Sequence, residues 1–428
     1  MKKTERDFII RLIKREVVPA IGCTEPIAVA LCVSKAARLL GKEPEKIKVL
    51  LSANILKNAM GVGIPGTGMI GLPIAVALGA LAGNPDYQLE VLKDITSDDV
   101  ERGKQVIAEN RIDIQLKENI AEKLYIEVIM SAGPDETTAI ISGGHTCFVY
   151  EARNGNVLLD ERISAVAEES EEDGSLSLRK VYDFALTAPL EEIDFILDSA
   201  RWNKAAAEAS FKGDYGHSLG KSLRNDNERR VMGDSVFTRI LSYTSGACDA
   251  RMAGAMIPVM SNSGSGNQGI AATLPVVVYA EENQKSREEM IRALVLSHLT
   301  VIYIKQSLGR LSALCGCVVA ATGSSCGITY LMGGGYEEMT YAVKNMVANL
   351  TGMICDGAKP SCAMKLTSGV STAVFSAMLA MEHKCVTAVE GIIENDVDRT
   401  IHNLTRIGAQ GMNETDRLVL DIMTHKCP

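Results

Sequence analysis

Cys355 and Cys362 stand seven residues apart in the stretch Gly352–Lys365, GMICDGAKPSCAMK. The residues between them are rich in Gly, Pro and Ser, and helical patterns flank the stretch on both sides. Both thiols therefore project from a loop held between two helices, and such a loop can wrap one side of a metal centre. Two thiolates do not complete a site, so the remaining partners must come from elsewhere in the chain.

The chain has eleven cysteines and no Cys-x-x-Cys pair, which excludes the usual zinc-ribbon and zinc-finger spacings. Cys315, Cys317 and Cys326 lie in an uncharged stretch of small residues that begins LSALCGC at Leu311. Single cysteines dispersed in sequence but assembled in space suit an iron–sulfur cluster with three protein ligands, which leaves one iron open for substrate. Cys23, in IGCTEP, sits just before an apolar helix for which Thr24 is the expected N-cap, with Glu25 and Pro26 in the first turn. The helix dipole would favour a Cys23 thiolate, and Glu25 would oppose it. Ser261–Gly269, SNSGSGNQG, precedes another apolar helix and offers hydroxyls, amides and backbone N–H groups to an anion. His145, in SGGHT, reads equally as a strand-end residue satisfied by backbone or as a site residue. Cys32, Cys147 and Cys248 read as small core residues. Cys427 reads as a tail thiol, with protection of an open iron as the alternative. The glycine-rich Gly61–Gly68 lacks both the P-loop ending and the dinucleotide spacing.

The 428 residues carry a formal charge of −9 and no long basic run, which argues against nucleic acid as a partner. The N-terminus has charges spread through it and no apolar core, unlike a signal peptide. With this cysteine content and no leader, the expectation is a soluble cytoplasmic protein whose thiols stay reduced. Three segments, Asn58–Pro85, Met252–Ala280 and Leu311–Tyr336, contain no charge. Their Gly, Pro, Ser and Asn clusters suit the walls of an interior cavity better than a lipid-facing span.

The elements that must position these residues fall into two halves. Arg6–Val18 has helical spacing and ends at Pro19, and IKVLLSANIL reads as a buried strand. A charged helix over Ser97–Glu109 precedes the period-2 runs IDIQLK, LYIEVIM, TTAIIS, TCFVYEA and NVLLDERI, most simply an antiparallel sheet. Ala167–Leu178, AEESEEDGSLSL, reads as a linker, and beyond it the pattern is helical: 190–210, 236–251, 286–308, 336–353, 367–383 and 414–424. The expected fold class is α+β, with an all-helical C-terminal half packed around the cluster site. The expected domains are residues 1–185, whose N-terminal helices contribute a base, and the helical iron–sulfur catalytic domain 186–428.

GCTEPIAVA, NAMGVGIPGTGMIGLPIA, SGGHT, DARMAGAMIPVMSNSGSGNQGI, RLSALCG and GMICDGAKPSCAMK together resemble the L-cysteine desulfidase family, which is related to the catalytic alpha chain of iron–sulfur-dependent L-serine dehydratases. The resemblance runs from about residue 5 to about residue 425. It implies a 4Fe–4S lyase that converts L-cysteine to pyruvate, ammonia and sulfide. It places the cluster ligands on Cys315, Cys355 and Cys362 and the α-proton base on Cys23, with Cys317 the alternative to Cys315. The substrate carboxylate would lie on the loop at Ser261, Asn262, Ser263 and Gly264, helped by Lys57, Asn58 or Arg251. The expected partner is an amino acid, with no nucleic acid and no membrane, and with homo-oligomer assembly left open. Rival readings are a serine or threonine dehydratase, a pyridoxal-phosphate eliminase using Lys365, and a non-enzymatic iron–sulfur redox sensor.

Overall fold

The computed structural model describes residues 1–120, 122–162, 176–225, 231–309 and 311–426. Most of the acidic stretch Ala167–Leu178, as far as residue 175, lies outside these residues, and so does Cys427. In chain order the elements are α1 (Lys3–Glu16), β1 (Pro19–Ile21), α2 (Thr24–Leu40), β2 (Lys46–Leu51), α3 (Ala53–Ala59), α4 (Leu72–Leu81), α5 (Ser97–Ala108), β3 (Ile112–Leu116), β4 (Tyr125–Ala132), β5 (Asp135–Ser142), β6 (Phe148–Arg153) and β7 (Asn156–Asp160). There follow α6 (Leu178–Thr187), α7 (Leu190–Ile193), α8 (Leu197–Lys212), α9 (Leu219–Ser222), α10 (Val236–Met252), β8 (Pro258–Met260) and α11 (Gly266–Glu282). The last are α12 (Arg287–Leu308), α13 (Gly316–Leu331), α14 (Tyr336–Leu350), α15 (Cys362–Met381), α16 (Val397–Arg406) and α17 (Asn413–Thr424). The fold class is α+β, as expected.

The main sheet has the order β3-β2-β4-β5-β6-β7. It is mixed rather than purely antiparallel, because β3 pairs parallel to β2 while the other neighbours run antiparallel. The reason is the crossover through α3, α4 and α5, which returns the chain to the same end of the sheet. In β4 the buried residues alternate strictly, and its buried face packs with α2. α5 starts with the Thr96–Asp99 capping box, in which each side chain accepts from the other's backbone N–H.

Two hydrophobic cores result. The smaller one joins α2 and α4 to the buried face of the sheet through residues such as Leu31, Val49, Ile74 and Val128. The larger one fills the helical half, and α1 belongs to it through Ile9, Leu12 and Ile13. Burying each such side chain stabilises by roughly 1.5–3 kcal/mol. A short antiparallel ladder between β1 and β8 ties the N-terminal segment to the helical half, so that half is not purely helical. The three uncharged segments each break into loops and buried helices (α4, α11 and α13) inside the fold. A different helix, α15, is long and apolar enough by length and composition to cross a membrane; half of its apolar window is buried against the protein.

The C-terminal helix is fastened by one buried cation. Lys57 on α3 is 1% exposed and makes a short ion pair with Asp416 on α17, which also accepts from Asn54 Nδ2 at 2.7 Å. The same ammonium donates to the Cys355 carbonyl at 3.4 Å. Removing only the carboxylate strands the ammonium in the core. Asp416→Ala should therefore lower unfolding stability by about 3–5 kcal/mol. A Lys57→Met/Asp416→Leu double variant should recover most of that loss in denaturant melts.

Candidate functional site

One cavity of about 100 Å³ is lined by residues from both halves, including Cys23, Glu25, Asn58, Arg251, Gln268, Lys305, Cys315, Cys317, Cys355, Cys362 and Lys365. The two cysteine loops that form one wall are held together by backbone. Leu314 and Ile354 form an antiparallel bridge, with Cys315 N–H donating to the Met353 carbonyl at 3.0 Å and Cys355 N–H to the Ala313 carbonyl at 2.6 Å. Gly357 sits at φ +88°, and a Cβ there would lie 2.3 Å from the Lys57 carbonyl oxygen, so the loop passes α3 only as glycine. Cys362 opens α15, and its N–H closes a turn onto the Lys359 carbonyl at 2.9 Å.

The thiols differ sharply in environment. The hydrogen bond from Cys317, ahead of opposing burial, brings Cys315 down to about 7. Cys317 is pushed up by that same interaction and by burial, and its sulfur lies 3.1 Å from the Lys365 carbonyl oxygen. Cys355 is raised to about 11 and Cys362 is also raised, both chiefly by burial. Among the described residues no three His, Cys, Asp or Glu side chains converge as ligands of a single ion. A cluster does not require that, because each thiolate meets a different iron. The soft all-thiol donors Cys315, Cys355 and Cys362 on one cavity wall fit such a group.

Cys23 lines the same cavity. α2 begins one residue earlier than the sequence suggested, so Cys23 rather than Thr24 occupies the N-cap, with no side-chain capping bond. The Thr24 hydroxyl instead lies 2.9 Å from the Gly264 carbonyl oxygen and 3.0 Å from Glu25 Oε2. The Cys23 thiol donates to the same Glu25 oxygen at 3.0 Å. Burial, reinforced by the Glu25 charge, pushes the Cys23 thiol well up, while Arg251 pulls the other way. The dipole argument for a resting thiolate therefore loses to desolvation. Asn58 completes this corner, its Nδ2 donating to Glu25 Oε1 at 3.3 Å.

The Ser261–Gly269 loop reaches the cavity through Ser265, Asn267 and Gln268 rather than through its first residues. Ser261 donates to the Val18 carbonyl at 2.6 Å. Asn262 Nδ2 bonds His298 Nδ1 at 3.0 Å and the His298 carbonyl at 3.1 Å, and Ser263 donates to Asn262 Oδ1 at 2.8 Å. Gly264 offers its carbonyl to Thr24. These residues, expected to hold a carboxylate, brace the loop instead, because the buried chain has to satisfy its own polar groups first. Arg251 does face the cavity. It is 3% exposed, its Nη1 donates to Asn267 Oδ1 at 3.0 Å, and its buried Nε has no hydrogen-bond partner. It packs so closely over Gly266 that a Cβ there would fall 2.2 Å from Nε. Gln268 Oε1 is likewise buried and unpartnered.

The structure thus gathers Cys23, Asn58, Arg251, Cys315, Cys355 and Cys362, with Cys317 beside them, and leaves Lys57 and His145 off the cavity lining. Lys365 lines the cavity but is ion-paired with Asp356 and donates to the Ile354 carbonyl at 2.8 Å. Sequence reading took the Ser261–Gly269 loop as the carboxylate site and singled out its first four residues, leaving Ser265, Asn267 and Gln268 within it unnamed, and it missed Lys305. The amide-rich loop was the available signal for the first three, and Lys305 had none.

A model of the serine dehydratase alpha chain family matches residues 86–421. A UPF0597 protein of Bacteroides fragilis is 75% identical over 426 residues, covering 100% of both chains. Those of Porphyromonas gingivalis and Oleidesulfovibrio alaskensis are 58% and 47% identical over 432 and 429 residues, again covering 100% of both chains. The family-model match begins after Cys23, Glu25 and Asn58, whereas these relatives span them.

His298 braces this wall as a neutral ring. It is fully buried, and burial lowers it to about 3. Accepting from Asn262 on Nδ1 leaves the Nε2 proton for Thr273 Oγ1 at 2.9 Å. The unfolded chain, titrating near 6.5, binds the proton first, so this contribution is complete above about pH 6.5 and declines as pH falls towards 3. Asp249, raised to about 6 by burial, acts in the opposite sense between roughly pH 4 and 6. A His298→Gln variant isolates the first effect: the stability gap between wild type and variant should shrink from pH 7.5 to about pH 5. A constant gap in urea melts would rule this account out.

Proposed function

This chain belongs to the serine dehydratase alpha chain family, and from that premise we propose that it is an iron–sulfur carbon–sulfur lyase, an L-cysteine desulfidase yielding pyruvate, ammonia and sulfide. The observation that carries the reading is the single cavity lined jointly by Arg251, Cys23, Cys315, Cys355 and Cys362. When bound by those three thiolates, a 4Fe–4S cluster would supply Lewis-acid polarisation of the β-substituent at the iron lacking a protein ligand.

The chain's own residues do the rest. Arg251 has no carboxylate partner among the described residues, and its unpartnered Nε suits an incoming carboxylate in a charge-assisted bond. Gln268 Oε1, also unpartnered, accepts from the substrate ammonium, so the two groups orient a zwitterionic α-amino acid. Cys23, on giving up its own proton, takes the α-proton, and the electron pair left on Cα forms the Cα–Cβ double bond as the β-substituent departs. The released aminoacrylate tautomerises and hydrolyses in water. Cys315 is preferred to Cys317 as ligand because Cys315 is the thiol most readily ionised and its loop is bridged by backbone to that of Cys355. A cytoplasmic setting, where thiols stay reduced, belongs to the same proposal.

The family description favours a second reading, L-serine dehydration on the same residues. Anaerobic reconstitution followed by parallel assays of L-cysteine and L-serine separates the two: sulfide release faster than serine-derived pyruvate supports the desulfidase. Cys355→Ser should lose both iron and turnover, and full activity from iron-free protein would overturn the cluster. Cys23→Ala should retain iron but turn over at least about 10²-fold more slowly. Arg251→Met should act mainly through a raised KM, measured with the iron content matched to wild type.

A further inference from the structure

The Cys23 thiol does not face the cavity alone. Its proton points at Glu25 Oε2, 3.0 Å away. Glu25 is itself buried, at 8% exposure, and makes no ion pair among those found in the described residues. Its other oxygen is fixed by Asn58 Nδ2 at 3.3 Å, and the Thr24 hydroxyl lies 3.0 Å from Oε2. A buried carboxylate costs several kcal/mol to maintain unless it serves as a partner. Placing one against a thiol that has to lose its proton is unhelpful for a simple thiolate, because the carboxylate's charge opposes ionisation. A carboxylate that receives the proton resolves this conflict.

We propose that Glu25 is the proton acceptor through which Cys23 acts, the two forming a relay across the Sγ–Oε2 hydrogen bond. The proposal rests on the lyase reading above and assigns a residue to its proton-transfer step. As the substrate Cα–H bond breaks, its proton passes to Cys23 Sγ while the Cys23 proton passes to Glu25 Oε2. The Cα–H electron pair forms the Cα–Cβ double bond, and the β-substituent leaves with its own bonding pair. Afterwards the thiol is again protonated and Glu25 carries the extra proton. Returning that proton through Cys23 Sγ to the departing sulfide or hydroxide resets the pair, so no external oxidant or reductant is required. Glu25 touches the thiol rather than the substrate and is a positioning residue in this scheme. The charged groups sharing the cavity are Arg251, Lys305 and Lys365. Arg251 favours the thiolate, which helps the proton leave sulfur.

The scheme gives Glu25→Gln two effects of opposite sign. Removing the carboxylate charge makes the Cys23 thiolate easier to form. Peptide-resolved iodoacetamide labelling of iron-free protein at pH 8 should therefore show Cys23 reacting about tenfold faster than in wild type. Removing the acceptor should nevertheless lower kcat by about 10²-fold in the reconstituted enzyme, with KM and iron content little changed. Glu25→Asp, which keeps a carboxylate, should recover part of kcat over Glu25→Gln.

Wild-type turnover by Glu25→Gln would show that Cys23 works alone and overturn the relay. Unchanged or slower labelling would show that Glu25 does not bear on the thiol, with the same consequence, as would equal loss of kcat in the Gln and Asp variants. Wild-type enzyme that releases neither sulfide nor pyruvate would fail the lyase reading instead. The labelling contrast needs no iron and tests the Cys23–Glu25 interaction independently.

Discussion

The site depends on two backbone hydrogen bonds. Cys315 N–H to the Met353 carbonyl and Cys355 N–H to the Ala313 carbonyl bring together loops that are distant in the chain. They form the short Leu314–Ile354 bridge, and side chains of neighbouring residues in such a bridge are placed by backbone geometry rather than by rotamer choice. The loop of Cys355 is further limited by Gly357, which fits against α3 only without a Cβ, and by Lys57, whose ammonium reaches the Cys355 carbonyl. Helix α3 also carries Asn58, which holds Glu25. The thiol wall and the Cys23 corner are consequently referenced to the same short helix.

Electrostatics separates structural charges from available ones. Lys57 is matched by Asp416, and Lys365 by Asp356. Arg251 has no matching carboxylate among the described residues although it is almost wholly buried. An uncompensated buried guanidinium is costly, and a stable fold tolerates it where an anionic ligand completes it. The bracing beneath it uses neutral groups: His298 is held neutral by burial, and Asn262 and Asn203 span the loop with amides. No competing anion is needed to hold the loop in place.

Much of this architecture was legible in the sequence. Period-2 runs located β3 to β7, and the 3.6-residue pattern located most C-terminal helices, because each element buries one face. Helix α13 was harder to read, since an uncharged small-residue run has no polar face from which to take a period. The parallel β2–β3 pairing was hidden because alternation reports burial and not strand direction. At the site, the cysteines and Arg251 were recoverable from residue type, but the division of labour within Ser261–Gly269 was not. Which amide faces the cavity is settled by Asn203, His298 and Val18, contributed by other parts of the chain.

The cysteines show why residue type alone underdetermines chemistry. Cys32 lies fully buried between α2 and the sheet, where desolvation and the carbonyls of Ile126 and Ala139 keep it a thiol. Cys315 has a neighbouring thiol donor and is the easiest of the cavity thiols to ionise. Cys23 has the helix N-terminus that sequence reading associates with a thiolate, yet burial and Glu25 override it. A partial dipole charge stabilises by about 0.3–1 kcal/mol, whereas desolvation can shift a buried group by several pKa units. Desolvation outweighs the dipole; under the relay proposed above, a proton leaves Cys23 by transfer to a neighbour rather than by loss to solvent, and Glu25 is the neighbour to which its hydrogen bond points.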